Sequence, residues 1–130
     1  MRRILIVEDT QSIFELIRVG VVEMLPDQQA HFELVHVCTG EEALDLLGKK
    51  NQETVHGLLV GRYNPNDDGL KVIEACRAMH PEARIGLLSG EVSWEYHYDA
   101  IRSGANIVIG KPFEWRQIEA FLLQILYKNG

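Results

Sequence analysis

The sequence predicts an α/β domain in which helices cover both faces of a parallel β-sheet. Short β-branched runs alternate five times with longer segments of helical period, as βα units do when laid down in one sheet. The first run, Ile4-Leu5-Ile6-Val7, is apolar at every position, which suits a strand buried on both faces. The 130 residues, 46% hydrophobic and 25% charged, have the composition of an ordinary globular protein. A chain near this length removes roughly 70% of its unfolded surface from water around one core, so residues 1–130 read as a single domain.

Each element has its own signal. The first strand stops at Glu8-Asp9, and Ile13, Leu16, Ile17, Gly20, Val21 and Met24 then recur at three- and four-residue spacing, one face of a helix that ends before Pro26. A second strand covers Phe32 to Val37. Thr39-Gly40-Glu41-Glu42 has the Thr-x-x-Glu spacing of a capping box, and Ala43, Leu46 and Leu47 of the following helix face inward. The third strand is expected from Val55 to Val60. It is followed by the turn-formers Asn64-Pro65-Asn66-Asp67-Asp68-Gly69, with Asp68 placed to cap a third helix whose apolar face is Val72, Ile73, Cys76 and Met79. The fourth strand and helix fall at Arg84 to Leu88 and Ser93 to Ser103, and the fifth strand at Asn106 to Ile109. The last helix, Phe113 to Tyr127, buries Ile118, Phe121, Leu122, Ile125 and Leu126.

Charge and cysteine content narrow the function classes. Thirteen basic against nineteen acidic residues leave a formal charge of −6, so the attraction that drives non-specific nucleic-acid binding is missing and no direct nucleic-acid contact is expected. Cys38 and Cys76 both sit in apolar stretches and read as buried thiols rather than a bridge. The four apolar residues after Arg3 are too short a run for a signal peptide, and none approaches the about eighteen needed to span a membrane. The expected location is the cytoplasm, away from membranes.

In an open parallel sheet, ligand chemistry collects beyond the carboxyl ends of the strands. Those positions hold Glu8 and Asp9 after the first strand, Gly61 after the third, Ser89 after the fourth, and Lys111-Pro112 after the fifth. Motifs of other chemistries fail. Gly104 to Gly110-Lys111 spaces its glycines one residue too widely for a phosphate-binding P-loop and has Pro112 where a hydroxyl should bind Mg²⁺. Ser89 lacks the flanking glycines of a nucleophile elbow. His31, His36, His56, His80 and His97 lack paired metal-ligand spacing and read mostly as surface or strand-end residues.

The strand-end set resembles the receiver domain of two-component response regulators over nearly the whole chain. The resemblance is carried by Ile4-Leu5-Ile6-Val7-Glu8-Asp9, Asn64-Pro65-Asn66-Asp67-Asp68-Gly69-Leu70, Leu87-Leu88-Ser89-Gly90, Ser103-Gly104-Ala105 and Lys111-Pro112-Phe113. It implies a flavodoxin-like (βα)5 sandwich with strand order 2-1-3-4-5. It also implies a phosphorylation switch, in which an aspartate ending the third strand takes a phosphoryl group from a histidine kinase. By position, Glu8 and Asp9 match the family's Mg²⁺ acids, Ser89 its hydroxyl and Lys111 its amine. A hard cation and a fixed ammonium suit phosphoryl transfer because they offset its charge.

The acceptor departs from that pattern. Four residues before Pro65, where the family's aspartate belongs, stands Gly61, flanked by Val60 and Arg62. The family's aromatic residue three positions before the lysine is here Val108, which is short and stiff. The two losses together point to a pseudo-receiver, a non-enzymatic signalling domain that works through protein contacts. Asp67 or Asp68 as substitute acceptor, and an anion or nucleotide held near Lys111 in the space at Gly61, are the alternatives. Glu8, Asp9 and Lys111 either pair directly, with no cofactor, or hold Mg²⁺ weakly, since two acids without a phosphoryl group make a poor Mg²⁺ site. Trp94, Tyr96 and Tyr98 crowd the fourth helix and Trp115 begins the fifth. With Val108 they mark the surface of the fourth helix, fifth strand and fifth helix, the family's usual output and dimerisation face. An interface there with a signalling protein, an effector domain or a second copy of the chain is expected.

Overall fold

The computed structural model describes residues 1–8, 11–27, 31–49, 53–62, 69–90, 94–110 and 112–127. Asp9, Asp67, Asp68 and Lys111 lie outside the described residues. Ten elements alternate along the chain: β1 (Arg2–Val7), α1 (Gln11–Met24), β2 (Phe32–Val37), α2 (Gly40–Leu47), β3 (Gly57–Arg62), α3 (Gly69–Met79), β4 (Arg84–Ser89), α4 (Trp94–Ser103), β5 (Ile107–Gly110) and α5 (Trp115–Leu126). The strands form one sheet in the order β2-β1-β3-β4-β5, and every pairing is parallel.

Strand alternation divides the core into two layers. Leu5 and Val7 of β1 join Leu58, Val60, Ile85 and Leu87 on the face covered by α2, α3 and α4. Ile4 and Ile6 join Leu59, Leu88 and Ile109 under α1 and α5. Both sets come from the same strands because successive side chains point to opposite faces. Fully burying each Leu or Ile is worth about 1.5–3 kcal/mol, so strands apolar at every position are stable only with helices on both sides.

Several boundaries and faces differ from expectation. β3 starts two residues later and ends two later than the sequence suggests, so Gly61 lies within the strand. Val55 is buried, but its amide donates to His80 Nδ1 at 3.1 Å instead of a neighbouring strand. On α1, Ile17 and Val21 are buried while Leu16 and Met24 are exposed, and on α3 Met79 is exposed too. These helices carry more apolar residues than the sheet-facing arc holds. Cys76 is buried as expected but Cys38 is exposed, and both thiols are free. Thr39 caps α2 by accepting from the Glu42 amide at 3.1 Å, whereas the Glu42 carboxylate accepts from the Thr39 hydroxyl at 3.2 Å. The reciprocal backbone bond appears at α5, where the Glu114 amide donates to Gln117 Oε1 at 3.0 Å.

Candidate functional site at the carboxyl ends of the strands

The register sets Ser89 and Gly110 side by side at the carboxyl edge of the sheet, with Gly61 one residue back from Ser89's partner on β3. Gly61 pairs with Leu88, Arg62 with Ser89, and Ser89 with Gly110. A Cβ built on Gly110 meets nothing within 4 Å among the described residues. Ser89 is only 2% exposed. It continues the Ile85–Leu87 alternation onto the α3 and α4 side of the sheet, where its Oγ lies 3.3 Å from Nε2 of His97 on α4.

Glu8 follows β1 and is 1% exposed. Its backbone is held on the β2 side, the amide donating to the Val37 carbonyl at 3.0 Å and the carbonyl lying 2.8 Å from His36 Nε2. A carbonyl only accepts, so Nε2 of His36 carries the proton. The His36 ring is stacked on Phe14 of α1, with centroids 4.4 Å apart and planes 7° from parallel. One imidazole thereby ties the turn after β1 to both β2 and α1. Neither His36 nor His97 has a motif spacing, and a histidine at a strand end is the one sequence signal His36 offers. Asp9 and Lys111, the other two pocket positions, lie outside the described residues, as do the substitute acceptors Asp67 and Asp68. Among the described residues, no group of three His, Cys, Asp or Glu is arranged to hold a metal ion.

The surface residues singled out in the sequence fall in different environments. Trp94 and Tyr98 are 70% and 55% exposed, and with Ile101 at 47% they form a row along the outside of α4, one turn apart each. Arg102 stacks over the Tyr98 ring at 5.9 Å. Ile107 of β5 is exposed as well. Tyr96 and Val108 are partly buried, and each packs against the core layer under α4. Trp115 faces α1, where a Cβ on Gly20 would come within 2.4 Å of its ring, and its Nε1 donates to Glu119 at 2.9 Å. The exposed row therefore belongs to α4 and β5, and Trp115 to the packing of α1 on α5.

The profile of the response regulator receiver domain matches residues 4–123. The chain belongs to this family. Solved structures share the fold at low identity. A response regulator from Burkholderia pseudomallei, solved with a phosphorylated aspartic acid, a calcium ion and citrate, is 24% identical. It superposes with a TM-score of 0.76, covering 97% of this chain and 69% of its own. The CheY-like receiver domain protein of Methanospirillum hungatei JF-1 is 22% identical, with a TM-score of 0.76 over 96% and 94% of the two chains. A response regulator from Thermotoga maritima is 19% identical, with a TM-score of 0.73 over 97% and 98%. No curated protein matches the sequence. As a receiver domain the chain is a component of two-component signalling, and receiver domains act on signalling partners or effector domains. No helix among the described residues is long and apolar enough to cross a membrane.

Proposed function

We propose that this receiver domain accepts no phosphoryl group at the family position and signals through protein contacts on the surface of α4, β5 and α5. Gly61 carries the reading. It occupies the penultimate position of β3, four residues before Pro65, and a glycine offers no oxygen to phosphorylate. The surface assignment is supported by Trp94, Tyr98 and Ile101, a row of large apolar side chains left in water on one helix. Aromatic residues are enriched at the centres of protein interfaces. The partners that fit are a signalling protein, an effector domain or a second copy of this chain. Glu8, Asp9, Ser89 and Lys111 are then remnants of the pocket, with weak Mg²⁺ binding at most.

Incubation with acetyl phosphate and Mg²⁺ followed by intact mass measurement tests the first half. Wild type should stay unmodified, while Gly61→Asp should gain one phosphoryl group. Phosphorylation of wild type at Asp67, Asp68 or another carboxylate would overturn the reading. Sedimentation of wild type beside Tyr98→Glu tests the surface, because a charge at the centre of the row should abolish any self-association. Self-association that survives this substitution places the contact elsewhere.

A further inference from the structure

A cavity of about 340 Å³ opens at the amino-terminal edge of the sheet, the opposite end from Gly61 and Ser89. Its wall is built from the starts of the strands: Arg2 opens β1, Val55 and His56 lead into β3, Ala83 leads into β4, and His80 follows α3. Ile125 of α5 completes it. Val55 and Ala83 belong to one core layer and Ile125 to the other, so the cavity lies where the two layers come together past the strand starts. Backbone bonds fix this wall. The His56 amide donates to the Arg3 carbonyl at 2.9 Å, the Arg84 amide to the His56 carbonyl at 3.0 Å and the Ala83 amide to the His80 carbonyl at 2.9 Å. The site is therefore formed before anything enters it, which spares a ligand the cost of ordering it.

The nitrogen groups of the wall are donors. The Arg3 and Val55 amides donate to Nδ1 of His56 and His80 at 3.0 and 3.1 Å, so each neutral imidazole keeps its proton on Nε2. Nε2 of His80 is buried and has no hydrogen-bond partner, and an unmet buried donor costs stability until an acceptor reaches it. Arg2 makes no ion pair among the described residues. Burial holds both histidines below their ordinary pKa, and the charges of Arg2 and the amino terminus lower His56 further. That is a surplus of positive potential in a chain of net charge −6. Glu82, the one carboxylate of the wall, is exposed. Val55, Met79, Pro81 and Ile125 make much of the rest apolar.

We propose that this cavity binds a small monocarboxylate with an apolar body, an aromatic or branched aliphatic acid, held by Arg2 and the Nε2 protons of His56 and His80 with its body against Met79 and Ile125. Oxygens that only accept match a wall rich in donors. The volume stands at the lower end of the roughly 300–1,000 Å³ of small-molecule sites, which suits a single ring and is small for a nucleotide. Inorganic phosphate has the charge but would leave the apolar wall in water. A bound acid touches both core layers at once, so binding stabilises the folded chain. The site shares no residue with the strand-end pocket or the α4 surface, and it stands whether or not the chain accepts a phosphoryl group.

NMR titration of the isotope-labelled full chain with phenylacetate, indoleacetate and isocaproate tests it. At least one of the three should give shifts that saturate at about millimolar concentration, centred on the Arg3, Val55, His56 and Ala83 amides and the His80 ring nitrogens, and should raise Tm. The primary amide of that acid, and inorganic phosphate, should each bind about tenfold more weakly or worse. Arg2→Gln should weaken the acid about tenfold, the loss of one charge-assisted hydrogen bond, and should leave Tm without the acid unchanged because Arg2 supports no ion pair among the described residues. Failure of all three acids to saturate would overturn the site. Equal binding of the amide would overturn the carboxylate, equal binding of phosphate the apolar body, and unchanged affinity in Arg2→Gln the place assigned to the charge. Shifts centred on Glu8, Gly61 and Ser89 instead would put the acid at the carboxyl edge and overturn the proposal.

Discussion

Replacing Arg77 with alanine should cost this fold about 3 kcal/mol, although the residue lies far from the strand-end pocket. Its guanidinium sits near the end of α3 and donates to the carbonyl of Gly104 at 3.1 and 2.7 Å, to those of Pro81 at 2.9 Å and Ala83 at 2.6 Å, and to Asn106 Oδ1 at 2.9 Å. Asn106 Oδ1 in turn accepts from the Ile85 amide at 2.8 Å. One side chain thus fixes the loop into β4 and the turn from α4 into β5. The bonds to Gly104 and Ala83 are partly buried, and losing a charged donor to each costs about 1.5 kcal/mol; the exposed bonds add little. For a domain of this length, 1 kcal/mol corresponds to about 3–4 °C in Tm, so the variant should melt about 10 °C lower. Arg77→Lys keeps the charge, but one ammonium cannot reach four acceptors in a fixed fork, and it should recover less than half of the loss. Urea unfolding followed by circular dichroism measures all three proteins. A loss below about 1 kcal/mol, or full recovery by lysine, would refute the hub described for Arg77.

Three further outcomes follow from other contacts. Gly20→Ala should destabilise the domain by about 1–2 kcal/mol in urea unfolding even though alanine gains about 1 kcal/mol of helix propensity, because its Cβ would overlap the Trp115 ring; a stabilised variant would show that the ring swings away freely. His56 and His80 accept backbone amide protons from Arg3 and Val55 on their Nδ1 atoms. Burial holds both below the ordinary histidine value, with Arg2 and the amino terminus adding to the effect at His56. The folded state then binds fewer protons than the unfolded one, so stability is complete above the ordinary histidine pKa and falls as pH drops below it. Melting curves between about pH 7.5 and 5.5 should show this fall and a shallower slope in His80→Asn; equal slopes would remove His80 from the account. Burial pushes the Cys76 thiol up to about 11. A thiol reagent near neutral pH should therefore label exposed Cys38 quickly and Cys76 only after unfolding, as peptide mass mapping would read.

Much of the fold was legible because strand and helix periods are local. Ile4-Leu5-Ile6-Val7 can only be a strand covered on both faces, and Phe32 to Val37 was placed to the residue. Errors arose where tertiary partners decide. Val55 has a strand's side chain, but the His80 ring, twenty-five residues away, takes its amide. Leu16, Met24 and Met79 fit the helical period, yet the sheet covers a narrower arc than the period allows. At the carboxyl edge, the place of Glu8 after β1 was readable from a local apolar run, whereas Gly61 was expected just past a strand that includes it. His36 and His97 were not readable, because their meaning comes from the Glu8 carbonyl and the Ser89 hydroxyl, which only folding brings to them. The aromatic residues show the same limit: Trp94 and Trp115 look alike in sequence, and the missing Cβ of Gly20 leaves room for the ring of Trp115 against α1.

That division of the two tryptophans gives the protein a pair of native optical channels. Trp94 stands in water on α4, and its emission should be red, open to iodide and altered by any molecule that settles on that surface. Trp115 is wedged over Gly20 with its ring nitrogen engaged by Glu119, so its emission should be bluer and shielded. It reports instead on whether α1 and α5 remain in register. A titration that moves the first signal and leaves the second still has found a ligand for α4; one that moves both has unsettled the fold.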